Sequence, residues 1–332
     1  MGCAIFHGWR SVGCRCDVSP DNKKSEGEFL EAMTRFFDSE IWWSFKRSPV
    51  TMIAAVFAVL CILGAVLAPI LAPHNPYDLA QISLLDSNLP PVWDASGKAD
   101  FPLGTDQQGR DILSTIMYGS RISLLVAMCA VAMSIVMGVG LGLLAGYVGG
   151  RVDSIIMRIA DIQLTFPAIL VALLISGVGR QFVPRDMQDS LALYVIIFSI
   201  GLTGWVQYAR TVRGSTLVEK SKEYVQAARV IGVSKMAIMV RHVLPNVLGP
   251  VLVIATLNIA NAIIAEASLS FLGVGMPPTQ PSLGTLISEG QNYLFSGEWW
   301  ITVFPGIALI VMVVSVNLVG DWLRDALNPK LR

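Results

Sequence analysis

Six long apolar stretches constrain the fold of this chain more than any other feature. A bilayer core about 30 Å thick needs about 20 apolar residues in a helix. The stretches that meet or approach this length are 50–71, 122–147, 152–178, 191–208, 247–265 and 300–319. Charged residues make up 14% of the chain, against roughly 25% in an average soluble domain. We therefore predict an all-α membrane protein with six transmembrane helices.

The basic residues indicate how these spans are oriented. With the N-terminus in the cytosol, 19 of the 24 Lys and Arg residues lie on the cytosolic side and 5 on the other. Since Lys and Arg accumulate on the cytosolic side, both termini are predicted to be cytosolic. The predicted order is a cytosolic tail 1–49, a first helix 50–72, a periplasmic loop 73–121, a core 122–320 containing a cytosolic loop 209–246, and a cytosolic tail 321–332.

Residues 1–32 differ from the rest of the chain in their hydrophobic pattern. They have no sustained hydrophobic period and no apolar segment followed by a signal-peptide cleavage site. Met33 is a candidate start, and we expect 1–32 to lie outside the mature protein. Cys14 and Cys16 are too closely spaced for a zinc knuckle, and no second pair follows them.

The first periplasmic loop ends in a polar segment that is expected to set turns. Thr105 or Asp106 is predicted to cap a short interfacial helix just before the second span, with Gly109 and Arg110 in turn positions. The apolar side of that helix would use Ile112, Leu113, Ile116 and Met117.

The second periplasmic loop, 272–298, contains several prolines. Pro277, Pro278 and Pro281 are expected to keep it non-helical. Trp299 and Trp300 follow at the position of an aromatic belt at the membrane interface.

The cytosolic loop 209–246 carries a helix–glycine–helix pattern. Tyr224, Ala227, Ala228 and Ile231 recur at helical spacing, and Gly232 is predicted to end that helix as a left-handed cap. A second helix is predicted to start after Ser234 and to close at Pro245. Two interpretations follow. The small alanines, with Arg229 at their rim, could receive a soluble partner, or the hairpin could rest on lipid headgroups; the pattern favours neither.

This loop resembles the EAA loop of bacterial ABC importer permeases. Gln226 stands where that pattern has Glu and His242 where it has Ile, while Glu223 lies one turn earlier and can supply the acid. The positions that match are Ala227, Ala228, Gly232, Leu244 and Pro245.

The remaining motifs resemble the dipeptide/oligopeptide/nickel branch of these permeases, and in particular its C-type subunit. Three further segments carry this resemblance: FPLGTDQQGRDILSTIMYGSRISL at 101–124, ASLSFLGVGMPPTQPSLGTLI at 267–287 and GDWLRDALNPKLR at 320–332. It covers about residues 44–332.

The resemblance implies a type I, MetI-like importer permease in the inner membrane. It implies a second permease subunit, two cytosolic ATP-binding subunits and a periplasmic substrate-binding protein as partners. The loop would couple transport to ATP hydrolysis through Glu223, Gln226, Ala227, Ala228, Arg229, Gly232, Ser234, Leu244 and Pro245. No G-x-x-x-x-G-K-[ST] motif occurs in the chain, so we expect no cofactor and no catalytic residue, with ATP bound by the partners. The implied cargo is a di- or oligopeptide, with nickel or glutathione as alternatives.

Polar residues inside the spans are candidates for the translocation path. They are Arg158, Asp161, Thr203, Asn258, Asn261 and Glu266. Arg158 and Asp161 are three apart and could pair on one helix face. For the two asparagines, interhelical hydrogen bonding is the alternative role. Pro167 is predicted to kink the third span, and the second span has closely spaced glycines that favour tight helix packing.

Two other classes of protein compete with the importer subunit. A stand-alone secondary transporter is compatible with the hydropathy, although broken helices with charged midplane sites are not evident. An intramembrane enzyme needs a nucleophile and a base within reach, yet the three histidines lie outside the predicted spans. Nucleic acid is not an expected partner, because the basic residues lack interleaved aromatics.

Overall fold

A computed structural model describes residues 45–78, 82–182, 184 and 187–327. The chain divides after Ser48, and the features below belong to the unit Pro49–Arg332. The predictions for residues 1–32 and for their cysteines lie outside the described residues, as does the end of the C-terminal tail.

From Pro49 to Leu327, the described residues form eleven α-helices, with one isolated β-bridge between Thr105 and Asp111. Short 3-10 helices at Leu84–Asp86 and Leu294–Ser296 lie in the loops. The α-helices are α1 Pro49–Val66, α2 Ala68–Leu71, α3 Ile112–Val148, α4 Gly150–Thr165, α5 Ala168–Phe182, α6 Gln188–Glu219, α7 Glu223–Val230, α8 Lys235–Ile238, α9 Leu244–Phe271, α10 Leu283–Gly290 and α11 Trp300–Leu327.

Among the described residues, five continuous helical stretches are long and apolar enough to cross a membrane: α1, α3, α6, α11 and the run Lys235–Phe271 that joins α8 to α9. The pair α4 and α5 also passes the test but is bent by 96°. Counting that pair as one span gives the predicted six. The predicted third span is therefore not one continuous helix, because α4 ends at Thr165 and Pro167 prevents the helix from running on.

Glycines bring α3 and α6 into close contact, as their spacing predicted. A Cβ atom on Gly138, Gly142 or Gly146 would collide with atoms of Tyr208, Ala209 or Thr216 on α6. A Cβ atom on Gly140 would meet no described atom within 4 Å, so that glycine does not serve the packing. The contact between these two helices forms the centre of the bundle.

The start of α3 differs from the prediction. Asp111, rather than Thr105 or Asp106, caps the helix by accepting a 2.9 Å hydrogen bond from the backbone N–H of Ser114. There is no separate interfacial helix, because the helix that begins at Ile112 continues without a break for 37 residues. The apolar residues assigned to the short helix form the first turns of α3.

Thr105, Asp106 and Arg110 instead build a buried junction. Asp106 accepts hydrogen bonds from the backbone N–H of Arg110 at 2.9 Å and from its Nε at 2.6 Å. Arg110 also donates to Glu289 on α10 at 3.2 Å and to the carbonyl of Pro278 at 3.3 Å. Burial raises the pKa of Glu289, and the Arg110 charge opposes that rise. The prediction that this segment is structural is confirmed.

The second loop was predicted to be non-helical, but it contains one helix, α10. Ser282 caps α10, whose first four residues are buried. The prolines end before this helix begins, so they shape its approach and do not prevent it. Trp300 also departs from the prediction: it is buried, and its Nε1 donates to the carbonyl of Thr105 at 3.3 Å. Trp299 remains 41% exposed.

Candidate functional site

The 209–246 loop forms the helix–glycine–helix that its sequence predicts. Helix α7 ends at Val230, and Gly232 follows with a φ of +86°. The N–H of Gly232 bonds to the carbonyl of Arg229 at 3.1 Å, and the N–H of Val233 bonds to Ala228 at 3.0 Å. These two bonds are a Schellman motif, which needs a residue that tolerates positive φ. Ser234 then caps α8, accepting from the N–H of Ala237 at 3.3 Å.

Pro245 does not end the second helix, contrary to the prediction. Met239–Val243 form a π-helical turn, in which the N–H of Leu244 bonds to the carbonyl of Met239 five residues earlier. Proline has no N–H for the regular bond to the fourth residue before it. The widened turn carries the chain past this gap, and the helix continues directly into α9. Leu244 is half-buried and Pro245 exposed.

The loop has one face packed against the rest of the chain and one face open. On the packed face, Val225 and Ala228 are buried with Ile238 and Val243 in the main hydrophobic core. Arg229 is exposed, as its predicted place at the rim requires, and its guanidinium lies 5.3 Å from the centre of the Tyr147 ring on α3. The small side chain of Ala228 therefore serves packing within the chain.

The open face includes three large exposed apolar residues, Val230, Ile231 and Met236, which we call the apolar tip. Their exposed fractions are 88%, 80% and 65%. The sequence analysis missed these three residues as a group. Val230 and Ile231 come just before the capping glycine, and Met236 comes just after the serine cap. Their positions around the predicted bend could have indicated that they are exposed.

Other predicted residues of the loop lie beside the tip. Glu223, Gln226 and Ala227 are exposed on α7. Gln226 turns back and donates from Nε2 to the carbonyl of Lys220 at 3.1 Å. Lys220 itself donates from Nζ to the carbonyl of Gly146 at 2.7 Å, which ties the loop to the end of α3.

Three predicted path residues meet at a cavity of about 290 Å³ inside the bundle. Thr203 comes from α6, and Asn258 and Asn261 come from α9. Gln207 on α6 also lines the cavity. None of the described residues that line this cavity is charged. The lining therefore presents hydroxyl and amide groups among apolar side chains.

The other predicted path residues lie elsewhere. Asp161 does not pair with Arg158; it forms an ion pair with Arg210 on α6. This partner is reached because α4 packs beside α6, whereas Arg158 is exposed on α4. Glu266 does not line the cavity. It is fully buried and accepts 2.7 Å hydrogen bonds from the hydroxyls of Ser123 and Ser270.

Comparison with known proteins establishes the family. Residues 138–332 match the family described as the binding-protein-dependent transport system inner membrane component, and residues 37–91 match the N-terminal transmembrane domain of oligopeptide transport permease C. The chain belongs to the binding-protein-dependent inner membrane permeases. The first match covers more than half of this permease, and its helical spans make it a multi-pass protein of the inner membrane.

Individual relatives place the permease in the predicted branch. It is 42% identical to the dipeptide transport system permease protein DppC of Escherichia coli K12 over 293 residues, 88% of this chain and 93% of the relative. It is 38% identical to DppC of Haemophilus influenzae over 293 residues, 88% and 95% of the two chains. The oligopeptide permease OppC of Bacillus subtilis is 36% identical over 316 residues, 95% and 94% of the two chains. The predicted family resemblance is confirmed.

Among solved structures, the inward-facing MetNI methionine ABC transporter is similar to this permease with a TM-score of 0.48. The sequence identity is 19%, and the match covers 62% of this chain and 93% of that chain.

Proposed function

We propose that this permease is the membrane subunit of an ATP-driven importer that moves di- or oligopeptides into the cytoplasm. It works with a second permease subunit, two cytosolic ATP-binding subunits and a periplasmic substrate-binding protein, and it needs no cofactor of its own. The observation that carries this proposal is the apolar tip, held rigidly by the Schellman motif at Gly232. The names of the relatives support the peptide cargo.

The apolar tip is the surface that receives work from the ATP-binding subunits. Exposed apolar side chains at the end of a capped helix are typical of a surface that a partner covers. ATP binding then shifts the permease between two states by the difference in the partner's affinity for them. In this arrangement both termini and the 209–246 loop face the cytosol, in accord with the excess of basic residues on that side.

The uncharged cavity suits a peptide cargo. An asparagine side chain offers both a donor and an acceptor, so Asn258 and Asn261 can pair with peptide N–H and C=O groups. The hydroxyl of Thr203 donates to the carbonyl of Ile200 at 2.8 Å, so it can accept a hydrogen bond from a peptide N–H. A lining without charge does not select for or against charged cargo side chains, which leaves the choice of peptide to the binding protein.

Transport by the complete importer in proteoliposomes tests this function. We expect uptake of a labelled dipeptide that requires ATP inside the vesicle and the binding protein outside. A partner ATPase carrying a substitution in its phosphate-binding lysine is the control, and it should abolish uptake. Excess unlabelled dipeptide should compete, whereas nickel or glutathione should not. Uptake by the purified permease alone would instead identify a stand-alone transporter.

A further inference from the structure

The hydroxyl of Tyr224 joins three separate helices at the base of the 209–246 loop. It lies 2.6 Å from Oε2 of Glu219, the last residue of α6. It also lies 2.9 Å from Nδ2 of Asn246, in the first turn of α9. Tyr224 itself belongs to α7. Since a hydroxyl has one hydrogen, it donates to the carboxylate and accepts from the amide.

The neighbours of Tyr224 fix both partners in place. The second oxygen of Glu219 accepts from Nζ of Lys222 at 2.6 Å. Asn246 also donates to the carbonyl of His242 at 2.9 Å, within the π-helical turn. Burial and the hydrogen bond to Glu219 raise the pKa of the Tyr224 hydroxyl, so it remains a donor at neutral pH. Hydrogen bonds to charged groups are stronger than neutral ones.

The two helices that meet at Tyr224 also line the cavity. Helix α6 contributes Thr203 and Gln207 to it, and α9 contributes Asn258 and Asn261. At the other side of the hydroxyl, α7 leads within two turns to the apolar tip. Tyr224 therefore hydrogen-bonds the exposed loop to both helices that contribute the polar lining of the cavity.

We propose that the Tyr224 hydroxyl is a positioning group that makes α6 and α9 follow α7 when the loop moves. This inference rests on the proposed function, in which ATP-binding subunits move the loop. Packing of Val225 and Ala228 against the core holds α7 to the bundle, but apolar contacts are not directional. The hydrogen bonds through Tyr224 are directional, so they fix the position of α7 along both helices.

The variant Tyr224→Phe tests this inference, because it removes the hydroxyl and keeps the ring. In proteoliposomes containing the complete importer, we expect the dipeptide taken up per ATP hydrolysed to fall about tenfold, as expected for losing a hydrogen bond to a charged group. The amount of assembled complex should not change. Tyr194→Phe is the matched control, since Tyr194 is 64% exposed on α6, and it should leave the ratio unchanged. An unchanged ratio in Tyr224→Phe would overturn the inference.

A second pair of variants covers the case in which Tyr224→Phe lowers assembly. Asn246→Ala removes the α9 side of the link and leaves the bond between Tyr224 and Glu219. If the hydroxyl acts as one link, the double variant should be no worse than Tyr224→Phe alone. Effects that simply multiply would mean two independent structural losses and would also overturn the inference.

A readout without cargo separates this inference from the proposed function. Spin labels at Phe198 on α6 and Leu252 on α9, which are 51% and 58% exposed, report the distance between the two helices. We expect ATP to change this distance in the otherwise unaltered complex and the change to shrink to less than half in Tyr224→Phe. Label movement without dipeptide uptake would reject the peptide cargo and leave the link intact. Equal movement in both proteins would reject the link.

Discussion

The two ends of the helical bundle differ in how they hold their best-paired charged groups. At the end formed by residues 82–111 and 272–299, charged groups are buried and satisfied by partners within the chain, as in the contacts of Arg110. At the end formed by the 209–246 loop, the ion pairs join side chains that are partly exposed. Both ends expose large apolar residues, such as Phe295 at the first and Ile231 at the second, so the difference lies in how firmly the charged groups are held.

This difference separates the residues that maintain the fold from those that transmit motion. A buried charge is costly unless it is paired, so the end with Arg110 tolerates little rearrangement. Exposed ion pairs contribute little to stability, so those at the loop end can break without unfolding the bundle. Substitutions at the first end should therefore change stability, and substitutions at the second should change coupling.

The largest effect is expected for Arg110→Ala. Its side chain is 3% exposed and pairs with both Asp106 and Glu289, so the variant leaves two buried carboxylates without a cation. We expect the free energy of unfolding in mixed micelles to fall by about 3–5 kcal/mol. Arg121→Ala is the control, because Arg121 is exposed on α3 and its loss should cost no more than about 0.5 kcal/mol. Similar losses for both variants would remove the contrast between the two ends.

The next largest effect is expected for Ile231→Asp in the apolar tip. The residue is 80% exposed, so the unfolding free energy of the free permease should change by less than about 0.5 kcal/mol. Affinity for the ATP-binding subunits should fall at least about tenfold, because an unpaired carboxylate is buried at the contact. Phe295→Asp is the matched control at the opposite end, where Phe295 is 97% exposed. If both variants weakened the complex equally, the tip would not be the contact surface.

A smaller effect is expected for Gly232→Val, which strains the bend without adding a clash. A Cβ atom there meets no described atom within 4 Å, but the φ of +86° costs a branched residue about 1–2 kcal/mol. Gly297→Val is subject to the same strain at the opposite end, with a φ of +96° and similar open space. We expect dipeptide uptake per ATP to fall severalfold in Gly232→Val and to stay constant in Gly297→Val. Equal uptake by the two variants would show that the shape of the bend does not matter.

The sequence predicted what depends on local chemistry. Apolar run length located the spans, and the glycine at position 232 with the serine at 234 predicted the bend and its cap. The break at Pro167 was also predicted as a kink, although the 96° angle was not. A proline shows where a helix is interrupted, but packing against neighbouring helices determines how far the chain then turns.

What depends on distant contacts was not predictable. Its spacing from Arg158 suggested that Asp161 pairs within its own helix, yet its partner is Arg210 on α6. Only the fold shows that α6 lies beside α4. Tyr224 was read as one member of an apolar stripe, and its hydroxyl meets Asn246 22 residues later. The buried Glu266 likewise accepts a hydrogen bond from Ser123, which is 143 residues away in the chain. Periodicity gives the face of a helix but not the helix that it meets.

The smallest effect is expected for Asp161→Asn. Asp161 and Arg210 are 59% and 48% exposed, and exposed ion pairs contribute only about 0.2–1 kcal/mol, less at high salt. Asp153 on α4 accepts a 2.6 Å hydrogen bond from Arg213 on α6, and both side chains are less exposed than those of the first pair. We therefore expect Asp153→Asn to lower the free energy of unfolding more than Asp161→Asn does. Unfolding in mixed micelles at low and high salt measures both.

Asp161→Asn should lower the free energy of unfolding slightly at low salt and not measurably at high salt. The loss caused by Asp153→Asn should persist at high salt. A loss for Asp161→Asn as large as that for Arg110→Ala would mean that charge pairs hold both ends equally firmly. The expected result means that the Asp161–Arg210 pair contributes little to holding α4 beside α6, and that the less exposed Asp153–Arg213 pair holds these two helices together. The charge pairs near the loop would then differ in strength among themselves, and each would be weaker than the buried junction at Arg110.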